Sequence, residues 1–265
     1  MREAAFKMIE MAKSRGCQVI MCGADATDHF ADYLERGADY CLLGEGEETL
    51  IELLNNLSTG RESEEIIGVV SRHSARVTRR PDITNLDAFP FPAWDLVDID
   101  KYRSVWKKRH GYFSMNMVTT PGCPYHCNWC AKPNYGQRYN VRSPENVAQE
   151  LKWLKANFEP DHIWFADDIF GLTPAWLESF AQEVEARSAA IPFTIQSRVN
   201  LMTERSVTAL RNAGCEEVRL GVESGSQRVL DAMDKGSRVE QVRTATALLG
   251  AAGVRPCWFI QLGYL

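Results

Sequence analysis

From residue 114 to the end, short apolar runs alternate with amphipathic stretches, and this alternation restricts the possible folds more than any other feature of the chain. The runs at 114–120, 162–166, 193–196, 217–222 and 254–262 read as strands. The stretches between them place apolar residues at helical spacing: Val147, Leu151, Leu154 and Phe158; Leu177, Phe180 and Val184; Val239, Val242, Ala245 and Leu249. A shorter helix carries Val229, Leu230 and Met233. Ser143-Pro144 and Thr173-Pro174 each supply a capping hydroxyl followed by a proline suited to the first helical position, and Thr203 caps a further helix that ends at Gly214. Strand–helix repetition of this kind predicts a parallel sheet covered by helices. In such architectures functional groups collect at the C-terminal ends of the strands. Here those ends carry Cys123, Cys127 and Cys130, then Asp167 and Asp168, Ser197 and Arg198, Glu223 and Ser224, and Gly263.

Residues 1–70 repeat the alternation on a smaller scale. A helix with Ala5, Ile9 and Ala12 stops at Gly16, and apolar runs at 17–22, 39–43 and 66–70 read as three strands of a parallel sheet. Between them fall a helix over roughly 28–36 and another with Leu50, Leu53, Leu54 and Leu57 on one face. Residues 71–113 break the pattern. Prolines 81, 90 and 92 disfavour regular helix or central strand. The aromatic residues of Phe89-Pro-Phe-Pro-Ala-Trp94 predict a linker lying against a domain. The arginines at 72, 76, 79 and 80 read as a solvated charge run. The expected domains are therefore 1–70, a linker at 71–113, and 114–265.

The net charge of −5 makes no general case for a nucleic-acid surface, and no apolar run is long enough to span a membrane. The N-terminus reads as a charged amphipathic helix, which leaves the cytoplasm as the expected compartment. Structural disulfides are disfavoured there, so Cys17, Cys22, Cys41, Cys215 and Cys257 are expected to be small buried hydrophobes. The other three of the eight cysteines are clustered as Cys123-x3-Cys127-x2-Cys130. Three thiolates on one loop match three corners of a cubic iron–sulfur cluster and leave one iron for a non-protein ligand. A chelating ligand with an amine and a carboxylate would need an acceptor such as Asp167 or Asp168 and a planar cation such as Arg198. A nucleoside portion would need hydroxyl partners such as Glu223 and Ser224 and a flat surface such as Trp129. Each of these residues also has a plain structural reading: turn cap, rim ion pair, surface residue or packing. Two other readings of the loop stay open. A zinc-binding structural module needs a fourth fixed ligand, and an iron–sulfur electron carrier normally has four cysteines per cluster.

The cysteine loop, with an aromatic residue before its third cysteine, resembles the signature of the radical S-adenosylmethionine (SAM) superfamily. The segment from Gly221 through Glu223-Ser-Gly to Leu230 is similar to that superfamily's fourth-strand segment. Phe165-Ala-Asp-Asp-Ile-Phe170 resembles its second-strand motif without the usual glycine pair. Cys22-Gly-Ala-Asp-Ala-Thr27, Gly37-Ala-Asp-Tyr40 and Gly44-Glu-Gly-Glu47 are similar to the second half of the cobalamin-binding domain found upstream in relatives of the anaerobic magnesium-protoporphyrin ester cyclase. The Asp-x-His-x-x-Gly motif of such domains is absent. The resemblance implies an α/β chain: a partial parallel (β/α) barrel of the radical SAM type, preceded by part of a Rossmann-like or flavodoxin-like domain and truncated at both ends. It implies a 4Fe–4S cluster on Cys123, Cys127 and Cys130 and SAM as cosubstrate, with cobalamin left open as a third cofactor. It further implies a small-molecule substrate and an electron donor such as flavodoxin or ferredoxin. The reaction would be reductive cleavage of SAM that starts a cyclisation, a methylation or a related radical reaction. No individual catalytic residue and no particular substrate is legible.

Overall fold

The computed structural model describes residues 2–61, 65–74, 77–130 and 137–264. The chain forms two compact units, Met1–Thr84 and Asn85–Cys130 with Gln137–Leu265.

The N-terminal unit runs α1 (Arg2–Lys13), β1 (Ile20–Met21), α2 (Ala24–Asp28), α3 (Phe30–Glu35), β2 (Tyr40–Leu42), α4 (Glu47–Thr59) and β3 (Val69–Ser71). Phe6, Ile9, Tyr33, Leu34, Cys41 and Val70 close one core. Three expectations need correction. The sheet order is β1-β2-β3, with β1 and β2 parallel but β3 antiparallel to β2. An apolar pattern reports burial and carries no information on strand direction. The helix expected at 28–36 starts earlier and breaks at His29, while Asp25 accepts hydrogen bonds from Arg2 and Tyr33. On α4 only Leu53 of the four leucines is fully buried, and Leu50 and Leu54 are exposed. Among the nearby arginines, Arg72 donates to the Leu34 carbonyl and Arg80 pairs with Glu48 and Glu52, so these two hold structure. Arg76 lies outside the described residues.

The C-terminal unit contains α5 (Ile99–His110), β4 (Ser114–Met117), α6 (Pro144–Phe158), β5 (His162–Phe165), α7 (Pro174–Ala186), β6 (Phe193–Ser197), α8 (Glu204–Ala213), β7 (Cys215–Glu223), α9 (Gln227–Ala232), α10 (Val239–Ala251) and β8 (Arg255–Ile260). The sheet order is β4-β5-β6-β7-β8, parallel throughout. The three expected caps form: Ser143, Thr173 and Thr203 accept from the backbone N–H groups of Asn146, Trp176 and Ser206. Val147, Leu151 and Leu154 of α6 are buried together with Leu177, Phe180 and Val184 of α7. A ring cluster of Phe165, Phe170, Phe180 and Phe193 fills the space between sheet and helices. Each such buried ring contributes roughly 1.5–3 kcal/mol by removing apolar area from water.

Helix α5 lies in the stretch read as linker. Its start is the Asp98 cap, which accepts from Lys101 N–H, and Lys107, Lys108, Arg109 and His110 crowd its last turn. None of its residues is buried, so it lacks the apolar face that marks a helix in sequence. The aromatic segment before it does lie against its unit: Phe91 approaches Trp153 at 6.0 Å, and Trp94 packs on the core. Of the five scattered cysteines, Cys41 and Cys215 are buried, whereas Cys17 and Cys22 are exposed and Cys257 is half-buried. Cys17 falls in the turn after α1 and Cys22 just beyond β1, where the chain is already at the surface. No described helix is long and apolar enough to cross a membrane.

Candidate metal centre at the strand ends

Parallel pairing brings the C-terminal ends of β4 to β8 to one side of the sheet. A cavity of about 180 Å³ opens there, walled by Cys123, Cys127 and Cys130 together with Trp129, Asp168, Ser197, Arg198, Arg219, Gly221, Glu223 and Lys235. A larger space of about 710 Å³ lies around Trp106, His162 and Glu217, near the N-terminal ends of the same strands, and no cysteine lines it.

The cysteine loop is held at two points. At its start, Asp167 accepts from the backbone N–H groups of Thr119 and Thr120 at 2.7 and 3.2 Å and from the Thr119 hydroxyl. Burial pushes the Asp167 carboxyl up to about 7, against the opposing effect of these donors. Further along, Asn128 N–H donates to the Met233 carbonyl at 3.0 Å and its side-chain amide donates to the Ala232 carbonyl at 2.7 Å. The Tyr264 hydroxyl then donates to Asn128 Oδ1 at 2.7 Å, which clasps the loop to the residues beyond β8.

The donor set suits an iron–sulfur cluster. The candidate donors are all thiols, the soft donors such clusters use. They line one cavity wall on a fixed loop, with Cys127 the most buried of the three. Among the described residues no three His, Cys, Asp or Glu side chains gather as one bound ion would require. Cluster ligands have no need to gather in that way, because each binds a different iron. His126 is exposed and does not line the cavity.

Of the residues singled out in sequence, Trp129, Asp168, Arg198 and Glu223 line this cavity, whereas Asp167 and Ser224 do not. Asp167 is turned to the threonines of the loop base, and Ser224 accepts from Ser226 N–H at the turn into α9. Arg198 is placed differently from a free carboxylate clamp. Its guanidinium donates to Cys127 Sγ at 3.4 Å, to the Lys235 carbonyl and to Asn200, and lies 3.7 Å over the Tyr125 ring.

Glu223 is buried at the end of β7 in the left-handed region, at φ 63°. The β7–β8 register shifts between Gly221 and Glu223, an irregularity of the kind that re-aims a side chain beside a site. Its carboxylate meets Lys235 Nζ at 2.9 Å, both groups being buried. Gly221 makes room for that pair, since a Cβ there would lie 2.8 Å from Nζ and 3.0 Å from Glu223 Oε1. Lys235 escaped the sequence reading because a single lysine after a short helix looks like a surface residue. Arg219 and Gly221 were within reach, because they share a strand face with Glu223 at a period of two. The Ser197 hydroxyl is buried in the cavity wall with no hydrogen-bond partner among the described residues.

A parallel β/α sheet with a three-cysteine loop beyond its first strand defines an enzyme class built around an open iron–sulfur cluster. Residues 117–265 match the radical SAM superfamily, and the chain belongs to it. Membership implies a 4Fe–4S cluster and SAM. An uncharacterised methyltransferase of Pyrococcus horikoshii is 34% identical over 215 residues, covering 78% of this chain and 46% of that protein. The anaerobic magnesium-protoporphyrin IX monomethyl ester cyclase of Synechocystis sp. is 27% identical over 238 residues, covering 87% and 47% respectively. The solved structure of the cobalamin-dependent SAM radical enzyme OxsB superposes with a TM-score of 0.82 over 97% of this chain and 39% of its own, at 20% identity, a likeness of fold. The chain spans about half the length of the curated relatives it matches.

Proposed function

We propose that Cys123, Cys127 and Cys130 hold the 4Fe–4S cluster with one iron left open, that SAM binds across the cavity they share, and that the protein carries out radical methylation or cyclisation of a small molecule. The observation that carries this reading is the convergence of three thiols, an acidic group, an aromatic ring and a buried ion pair on one cavity. When bound, the reduced cluster supplies the electron that splits SAM into methionine and a 5′-deoxyadenosyl radical. The chain's own residues bind and orient. Asp168 is the proposed acceptor for the SAM ammonium, because Asp167 is already engaged at the loop base. Glu223, held in place by Lys235, accepts from ribose hydroxyls, and the unpartnered Ser197 hydroxyl offers a further polar contact. Trp129 supplies a flat face for the adenine. The proposed division of the chain is 1–70, a linker at 71–113, and 114–265.

Cobalamin is proposed as a further cofactor on the strength of the fold shared with OxsB. The sequence has no Asp-x-His-x-x-Gly motif that would supply a histidine ligand to its cobalt. A one-electron donor of the flavodoxin or ferredoxin type, and a cytoplasmic location where thiols stay reduced, complete the proposal. Anaerobic reconstitution with iron and sulfide tests the site: the wild-type chain should take up a 4Fe–4S complement with its charge-transfer absorbance. Cys123→Ala, Cys127→Ala and Cys130→Ala should each lose most of it. A chain that stays colourless while binding one tight zinc contradicts the reading.

A further inference from the structure

The arginine at the end of β6 is held in an unusual way. Arg198 is 4% exposed, and no carboxylate pairs with it among the described residues. Its three nitrogens donate to the side-chain oxygen of Asn200, to the Lys235 carbonyl and to Cys127 Sγ, and its flat face is covered by Tyr125. A buried guanidinium without a counter-ion carries a large desolvation cost. The carboxylate of Glu223, which lines the same cavity, pairs with Lys235 instead. Among the described residues within its hydrogen-bonding reach, the one group able to carry compensating negative charge is the sulfur of Cys127.

We infer that Arg198 is a positioning residue that acts on the cluster through Cys127, raising the cluster's reduction potential and fixing the orientation of that ligand, and that it does not serve as the clamp for the SAM carboxylate. The inference rests on the reading of Cys127 as a cluster ligand. Hydrogen bonds and positive charge at cluster sulfurs favour the reduced state, which carries one more negative charge. Three hydrogen bonds and the Tyr125 ring hold the guanidinium in this orientation. Arg198 also joins two segments that both wall the cavity. Through one edge it touches the cysteine loop, and through another it touches the turn that carries Lys235. One side chain therefore sets both a ligand sulfur and the cation that holds Glu223.

The test is the midpoint potential of the reconstituted cluster, measured by spectroelectrochemistry in the absence of SAM, so that the readout is independent of turnover. Arg198→Met should take up the wild-type complement of iron and sulfide and show a clearly more negative midpoint. Arg198→Lys, which keeps the charge but not the fork, should fall between the two. Asn200→Ala and Tyr125→Leu loosen the arginine without removing it, and should shift the midpoint in the same direction by less. These two keep the test decisive if Arg198→Met fails to fold. Cluster-loaded variants that all retain the wild-type midpoint would overturn the inference. A wild-type chain that binds no cluster, or a Cys127→Ala chain that binds a complete one, would instead overturn the reading beneath it.

Discussion

Lys235 and Glu223 form an ion pair that is removed from water on both sides, and such pairs are asymmetric in their energetics. Replacing both partners is often mild, whereas removing one leaves the other charge buried and unpaired, at a cost of about 3–5 kcal/mol. Lys235→Met should therefore lower the unfolding free energy of the metal-free protein, read from urea denaturation, by an amount in that range, and adding Glu223→Gln should restore much of it. Equal destabilisation in the single and double variants would show that the pair is not coupled. Asp167 gives a second prediction at this scale. Its carboxyl titrates near 7 in the fold, above its ordinary value of 3.8, so folding favours its protonated form. The stability this supplies is complete below about pH 4 and is lost as pH rises towards 7, with a steepest slope of about 1.4 kcal/mol per pH unit. Asp167→Asn keeps the acceptor for Thr119 and Thr120 N–H and should flatten that slope. Unfolding measured at pH 5 and pH 7 checks this, and an unchanged slope would refute it.

At the scale of elements, the strands of the C-terminal unit and the helices between them were readable because their signals are local. Ser143, Thr173 and Thr203 announce helix starts, and Leu151, Phe180 and Phe193 mark the faces that must be buried. Direction and pairing were not local. The antiparallel entry of β3 depends on where the chain returns after α4, which the apolar run at 66–70 does not encode. Helix α5 was missed for a related reason: without a buried face it leaves only a cap and a cluster of charge as clues. The turn after β5 shows how closely sheet and helix are fitted. Gly171 has φ 65°, and a Cβ there would collide with the buried side chain of Leu177 on α7. Gly171→Ala should cost about 1–3 kcal/mol in stability, from strained backbone and disturbed packing together. A variant with the wild-type denaturation midpoint would mean that the turn relaxes freely.

For the whole molecule, the site draws on every strand of the larger sheet. The loop beyond β4 brings the thiols, the turn beyond β5 brings Asp167 and Asp168, and β6 leads into Arg198. Glu223 ends β7, Phe259 of β8 joins the wall, and Tyr264 beyond it clasps the cysteine loop. The cysteines were legible because their spacing is short. Lys235, Tyr125 and Tyr264 were not, since their roles come only from chain segments that meet in three dimensions. The division of labour between Asp167 and Asp168 was equally invisible, because adjacent acidic residues look alike until one of them is turned towards Thr119. The central claim is that this constellation is a SAM-cleaving cluster site, and formation of 5′-deoxyadenosine from SAM by the anaerobically reconstituted, dithionite-reduced chain tests it most directly. The wild-type chain should form 5′-deoxyadenosine and methionine in equal amounts, and Cys127→Ala should form neither above background. A wild-type chain with an intact cluster that leaves SAM uncleaved, or a Cys127→Ala chain that cleaves it undiminished, would contradict the account.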